Sequence, residues 1–336
     1  MSAAVPRSLL LWVAAAVGLF AGAPAPPEPP PAPPEARAVE QRLWAWVERD
    51  VARWQAEHGD LVIPWDAAEG HLALVIDDVG RELAVFERLL ALRWRLSFAI
   101  TPDAVYATGV AARLVGDRRR PRDVLVHLPM EPHDPAATAS ADEAREVWLQ
   151  RGDPADVLRA KVARALARVP AAIAVNNHMG SALTEERAAM DAVMAELRAR
   201  GRGFLDSRTS AATTALAAAR AAGVPSVARD VFLDHDPSPA AIRAALWDAA
   251  ARARLGSTVA IGHPSPALLE VLEAELPRLH AAGIAIVPLH ALLARAPRGD
   301  LEQPRSAPAP GTEGAPLRER AAADPPGTPT PAPAAR

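Results

Sequence analysis

Between Leu72 and Val287 the chain alternates short apolar runs with longer stretches rich in Ala, Leu and Arg. The runs are LALVI (72–76), RLSFAI (95–100), DVLV (123–126), AIAV (172–175), GFL (203–205), SVA (226–228), TVAI (258–261) and IAIV (284–287). Residues that are apolar on both parities of a strand need cover on both faces, which a parallel sheet clad in helices provides. The intervening stretches, among them 156–168, 185–200, 239–254 and 266–282, are long enough to be that cladding. Seven or eight such units predict an α/β chain folded as a closed or nearly closed parallel β/α barrel. The alternative, an open doubly wound sheet, would be marked by a GxGxxG fingerprint, and none is present.

The flanks lack this pattern. Arg7 precedes the apolar run LLLWVAAAVGLF (9–20) and then Ala21-Gly22-Ala23, the basic, apolar and small-residue order of an export signal over 1–23. The run is shorter than the roughly 18 to 20 apolar residues of a spanning helix, although an uncleaved anchor is the competing reading. Either one puts the working domain outside the cytoplasm, in the periplasm or cell envelope. Residues 24–38 form a Pro-rich spacer. The barrel domain, 39–295, opens with an amphipathic helix carrying Leu43, Val47, Val51 and Trp54 on one stripe, with Trp44 and Trp46 beside them. A Pro/Ala-rich tail, 296–336, is expected to be disordered.

Composition narrows the chemistry. The net charge is −3 with basic residues scattered, so no electrostatic footprint for nucleic acid exists. With no cysteine, disulfides and thiolate ligands are excluded, and any metal must be held by His, Asp or Glu.

Just beyond the apolar runs stand Asp77 and Asp78, Thr101, His127, Asn176 to His178, Asp206 and Ser207, Asp230 and Asp234, His263 and His290. The strand C-termini of a parallel barrel open on one rim, so these side chains are expected to converge there. Carboxylates and imidazoles aimed at one point suit a divalent metal with an open position for water. Adjacent strand residues face opposite ways, so Asp77 and Asp78 cannot both point inward unless the strand ends between them, and Gly80 offers the turn. One carboxylate would then bind the ion while the other takes a proton. His178 is assigned to the metal. Glu131, in the Pro-interrupted VHLPMEP, either points at the site or anchors an extended rim loop. Asn177 either orients a ligand or caps a turn, and Asp206 either acts in the site or caps the following helix.

The blocks VIDDVG, LSFAITP, VHLPMEP, NNHMGSALT, FLDSRTS, ARDVFLD and IGHPSP, in this order over roughly 72–289, resemble the divergent polysaccharide deacetylase family. That family is distantly related to the metal-dependent polysaccharide deacetylases, whose fold is a deformed β/α barrel. The resemblance implies that Asp77 is the general base and that Asp78, His127 and His178 bind a divalent metal. It further implies that His263 is the general acid and that Arg229 or Arg208 holds the base carboxylate. Here HLPMEP has no second histidine at the spacing of the related enzymes, so the two ligand histidines come from different strands. The implied activity is hydrolysis of N-acetyl groups on an envelope or extracellular polysaccharide, with zinc the ion best suited to oxygen and imidazole ligands. The alternative is a non-catalytic glycan-binding or adaptor protein of the envelope that keeps the barrel. A two-metal phosphoesterase is disfavoured, because a second cluster of carboxylates is lacking.

Overall fold

The computed structural model describes residues 59–118, 120–134 and 146–296. The expected export signal, spacer, leading helix and all of the tail beyond Ala296 lie outside the described residues. The chain divides into two units after Asp60, and every described helix and strand belongs to the unit from Leu61 onward.

Every apolar run forms a strand, and each strand is followed by a helix except where two strands meet at the seam. In chain order the elements are β1 (Gly70–Val79), α1 (Ala84–Ala91), β2 (Ser97–Ile100), α2 (Ala107–Gly116), β3 (Asp123–Met130) and α3 (Ala155–Arg168). Then come β4 (Ala174–Met179), α4 (Arg187–Ala199), β5 (Gly203–Asp206), α5 (Ala215–Ala221), β6 (Ser226–Ala228) and β7 (Val231–Phe232). The last are α6 (Pro239–Ala253), β8 (Thr258–Gly262), α7 (Pro266–Ala281), β9 (Ile284–Ile286) and α8 (Leu289–Leu293). The two longest helices begin alike. Ser238 and Ser265 each accept a backbone N–H of the first turn on Oγ, and a proline follows at the first helical position.

All strand pairs are parallel, in the order β6-β5-β4-β3-β2-β1-β8-β7. The two ends of this path, β6 and β7, are separated in sequence only by Arg229 and Asp230. So short a link spans about 10 Å at most, so the sheet must curl until its edges nearly meet. The link itself closes the seam: Arg229 N donates to Asp206 O, and Asp230 N donates to Val259 O. The expected deformed barrel is therefore present, as an eight-strand curl with an unpaired seam. A ninth strand, β9, pairs only with Gly70–Leu72 at the start of β1. Its C-terminus stops at that level, so the expectation that His290 reaches the rim fails. His290 instead sits at the opposite end, with Nδ1 2.8 Å from Asp123 at the start of β3.

Strand alternation sorts the core into two layers. Leu72, Leu74, Ile76, Val124, Val126, Leu128, Val175, Phe204 and Ala260 pack outward against the helices. Ala73, Val75, Ala99, Leu125, Ala174, Leu205, Val259 and Ile261 fill the interior. Continuing the inward parity by two residues gives Asp77 on β1, His127 on β3, Asn176 on β4, Ser207 after β5 and His263 after β8, and two residues further on β4 gives His178. The interior is apolar at its base and polar at its rim because each inward series ends in a chemical residue.

The start of β1 tolerates no side chain: a Cβ on Gly70 would lie 2.7 Å from the carbonyl carbon and oxygen of Ala253 in α6. Gly70→Ala is expected to lower stability by about 1–3 kcal/mol through overpacking, read as a lower urea midpoint at unchanged slope.

Candidate metal centre

Three donor atoms meet at the rim. Asp78 Oδ1 lies 3.1 Å from His178 Nδ1 and 3.4 Å from His127 Nε2, and the two ring nitrogens are 3.0 Å apart. Four ligands around zinc at roughly 2.0–2.1 Å stand about 3.3 Å from one another, so this triangle fits one ion with a fourth position left open. Asp78 Oδ1 is buried without a hydrogen-bond donor, as a ligand oxygen would be. No other group of three His, Asp or Glu side chains among the described residues meets in this way.

Asp78 belongs to the outward parity of β1, and the backbone brings it in. Its φ is 54°, in the left-handed region that non-glycine residues rarely occupy. The register against β2 slips between Ile76 and Val79. A bulge there lets both acids face the cavity without ending the strand. The left-handed step at Asp78 lies within the strand, and the expected turn follows at Gly80, whose own φ is 107°. Met179 and Arg208, also on the rim, have φ of 50°, so left-handed backbone gathers around the site.

Behind the triangle runs a chain of side chains. His127 Nδ1 donates to Asn176 Oδ1 at 3.1 Å, and Asn176 Nδ2 donates to Asp77 at 2.9 and 3.0 Å and to Ser207 Oγ at 3.2 Å. Asn176 therefore fixes the tautomer and aim of a ligand ring and the position of the neighbouring carboxylate together. On the facing wall Asp234 holds His263, accepting its backbone N–H at 2.7 Å and lying 3.2 Å from its Nδ1. Asp77, Asp78, His127, His178 and His263, with Phe232, Ile261, Met179, Thr209 and Arg229, line a half-open cavity of about 300 Å³, and Asn176 and Asp234 stand behind this lining.

The environment drives the two adjacent acids in opposite directions. Burial pushes the Asp77 carboxyl above its ordinary value, against the pull of His127, His263 and Asn176. Burial opposes ionisation of Asp78 as well, but the rings of His127 and His178 outweigh it and hold Asp78 well below the usual range. His127 is raised, the carboxylates Asp77 and Asp78 overcoming desolvation. His178 is lowered by burial, with the charges of His127 and Arg81 adding to it. His263 is pushed up to about 9: desolvation works against its charge, but the bond to Asp234 and the charges of Asp77 and Asp78 prevail.

A profile of the divergent polysaccharide deacetylase family matches residues 74–293. The chain belongs to that family. Its relatives include the uncharacterized protein YibQ of Escherichia coli, 37% identical over 205 residues that make up 61% of each chain. An uncharacterized protein of Haemophilus influenzae is 38% identical over 213 residues, 63% of this chain and 73% of the relative. The match thus spans less than two thirds of the Escherichia coli protein. Among solved structures, the uncharacterized protein ATU2773 from Agrobacterium tumefaciens aligns with a TM-score of 0.61 and 25% identity, covering 69% of this chain and 92% of that one.

The role that the resemblance implied for Arg229 or Arg208 needs correction, whereas Asp206, Glu131 and Asn177 take structural roles of the kind that the sequence left open. Neither Arg229 nor Arg208 holds Asp77. Arg229 donates to the carbonyls of Ser207 and Arg208 at 2.6 and 2.9 Å, bracing the seam, and Asn176 holds the acid instead. Asp206 has outward parity and is spent on the loop, accepting Arg208 N at 2.8 Å and the Thr213 hydroxyl at 3.1 Å. Glu131 anchors the rim by accepting from Arg151 N and Nε at 2.6 and 3.0 Å. Asn177 lines the cavity but its amide bonds Met179 O and Ser207 N, so it shapes the loop. Asn176 and Asp234 stand among the run-end residues that the sequence marks, but nothing in it marks their roles as partners of His127 and His263, and Phe232 carries no sequence signal that singles it out.

Asn176→Ala is expected to lower zinc affinity by about 10–100-fold, as loss of a ligand's hydrogen-bond partner does. Competition with a chromogenic chelator measures this, and unchanged affinity would show that Asn176 does not support His127.

Proposed function

We propose that this protein is a metal-dependent hydrolase that removes N-acetyl groups from an envelope or extracellular polysaccharide. The observation that carries the reading is the pairing of a three-donor triangle with a second carboxylate held beside it, outside the triangle and at raised basicity. A divalent ion at Asp78, His127 and His178, zinc by ligand type, would supply Lewis-acid polarisation of an acetamide carbonyl and a water made acidic near neutral pH.

The chain's own groups then divide the proton work. Asp77 accepts a proton from the attacking water, and the burial that raises its carboxyl makes it a better base than an exposed aspartate. His263, protonated at neutral pH, gives a proton to the departing amine. Phe232, Ile261 and Met179 provide the apolar surface of the cavity, and Asn176 keeps Asp77 aimed. The products are a de-N-acetylated sugar and acetate. Export to the periplasm or envelope is part of the proposal and rests on the order of residues in 1–23. Among the described residues no helix is long and apolar enough to cross a membrane.

Asp77→Asn is expected to retain zinc and lose about 10²–10⁴-fold in the rate of acetate release from N-acetylglucosamine oligomers. Zinc binding without turnover on any N-acetylated glycan would replace the hydrolase with the adaptor reading. The pH profile carries a second prediction. Asp77 must be ionised, so activity rises as pH climbs through its raised pKa; His263 must be protonated, so activity falls as pH passes about 9. Asp234→Asn removes a bond that raises His263, so the falling limb should move towards 6.5 while the rising limb stays. A falling limb that ignores this substitution would rule out His263 as the acid.

A further inference from the structure

Arg81, just after the paired acids, holds an unexpected place. Its Nη2 lies 2.7 Å from Glu146 Oε1, 3.2 Å from His178 Nε2 and 3.8 Å from Asp78 Oδ1. A guanidinium has donors and no acceptor, so His178 Nε2 must receive this bond with its lone pair. A neutral imidazole has a single N–H, which then sits on Nδ1, the atom that faces Asp78 Oδ1 and His127 Nε2. In this arrangement the cluster is a continuous relay of donors: Arg81 to His178, His178 to His127, and His127 to Asn176.

A ligating ring works the other way round. The nitrogen on the ion offers its lone pair, and the remote nitrogen carries the hydrogen and donates it outward. For His178 that remote nitrogen is Nε2, where Arg81 now donates. With an ion present, N–H would face N–H across 3.2 Å. The contact and the ligation therefore exclude each other.

We propose that Arg81 is a latch on the cation site, which must swing off His178 before an ion can bind and which thereby weakens the site's hold on a cation. The inference rests on the reading of Asp78, His127 and His178 as ligands. Arg81 is a positioning residue that acts through His178. The buried carboxylate of Glu146, 1% exposed, keeps the guanidinium nearby in either position.

The test measures Zn²⁺ affinity of the full chain by chelator competition and locates Arg81 in a crystal of the zinc-loaded wild type. Arg81→Gln is expected to bind zinc at least about ten-fold more tightly. Arg208→Gln, which removes the same charge from the rim at a side chain that does not touch His178, should change affinity less than about two-fold, so charge alone would not explain the gain. In the zinc-loaded crystal Arg81 should stand beyond hydrogen-bond reach of His178 Nε2, a result that does not depend on the variant folding. Equal or weaker binding by Arg81→Gln overturns the latch, as does a zinc-loaded structure in which the contact persists. Zinc bound by neither wild type nor Arg81→Gln removes the metal site and the latch together. Tighter binding by the variant with no acetate released from any glycan leaves the latch standing and removes only the hydrolase.

Discussion

Asp78, His127 and His178 turn a carboxylate oxygen and two ring nitrogens towards one another at 3.0 to 3.4 Å inside a cavity, and such a cluster cannot persist without positive charge or protons among its members. Much of the rim is arranged around that constraint. Asn176 fixes one ring from behind, Arg81 touches the other, and the left-handed backbone at Asp78 brings the carboxylate inward against the parity of its strand. The strained residue is tolerated because β1 lies deep in the sheet, paired with β2, β8 and β9.

The same strand solves a second problem by the same device. Two neighbouring acids need different environments if one is to stay ionised and the other is to exchange a proton. Alternation alone would send one outward; the bulge keeps both inside while giving each its own neighbours. Asp78 meets two imidazoles and is held as an anion, whereas at Asp77 burial outweighs the charges of His127 and His263 and the amide bond of Asn176. Opposed shifts in adjacent carboxyls mark a division of labour between acid–base and ligand roles.

Curling without closure also has a use. Because β6 and β7 are joined by only Arg229 and Asp230, the seam brings β5, β8 and the residues after them to one side of the cavity. Arg229 is consumed in tying that seam through carbonyls, and its ring contact with Phe232, 4.9 Å to the centroid, sets the apolar wall beside His263. The arginine shapes the cavity where family resemblance suggested that it restrained the base.

The sequence by itself determined the strands, the covering helices and the parallel curl, because runs apolar on both parities fit no exposed sheet. It also pointed to Asp77, Asp78, His127, His178 and His263, since each stands at or just past the end of an apolar run. Outward Asp206 and low-lying His290 showed the same local signal, and nothing local separates them from the others. Which side a run-end residue faces depends on counting parity from a fixed inward position, and how high it reaches depends on register between strands far apart in sequence. Only the tertiary structure decided those two things, and with them the bulge at Asp78, the Asn176 bridge and the contact of Arg81 with His178. All are pairings between segments tens of residues apart or departures from regular backbone, and neither leaves a trace in the order of hydrophobic and polar positions.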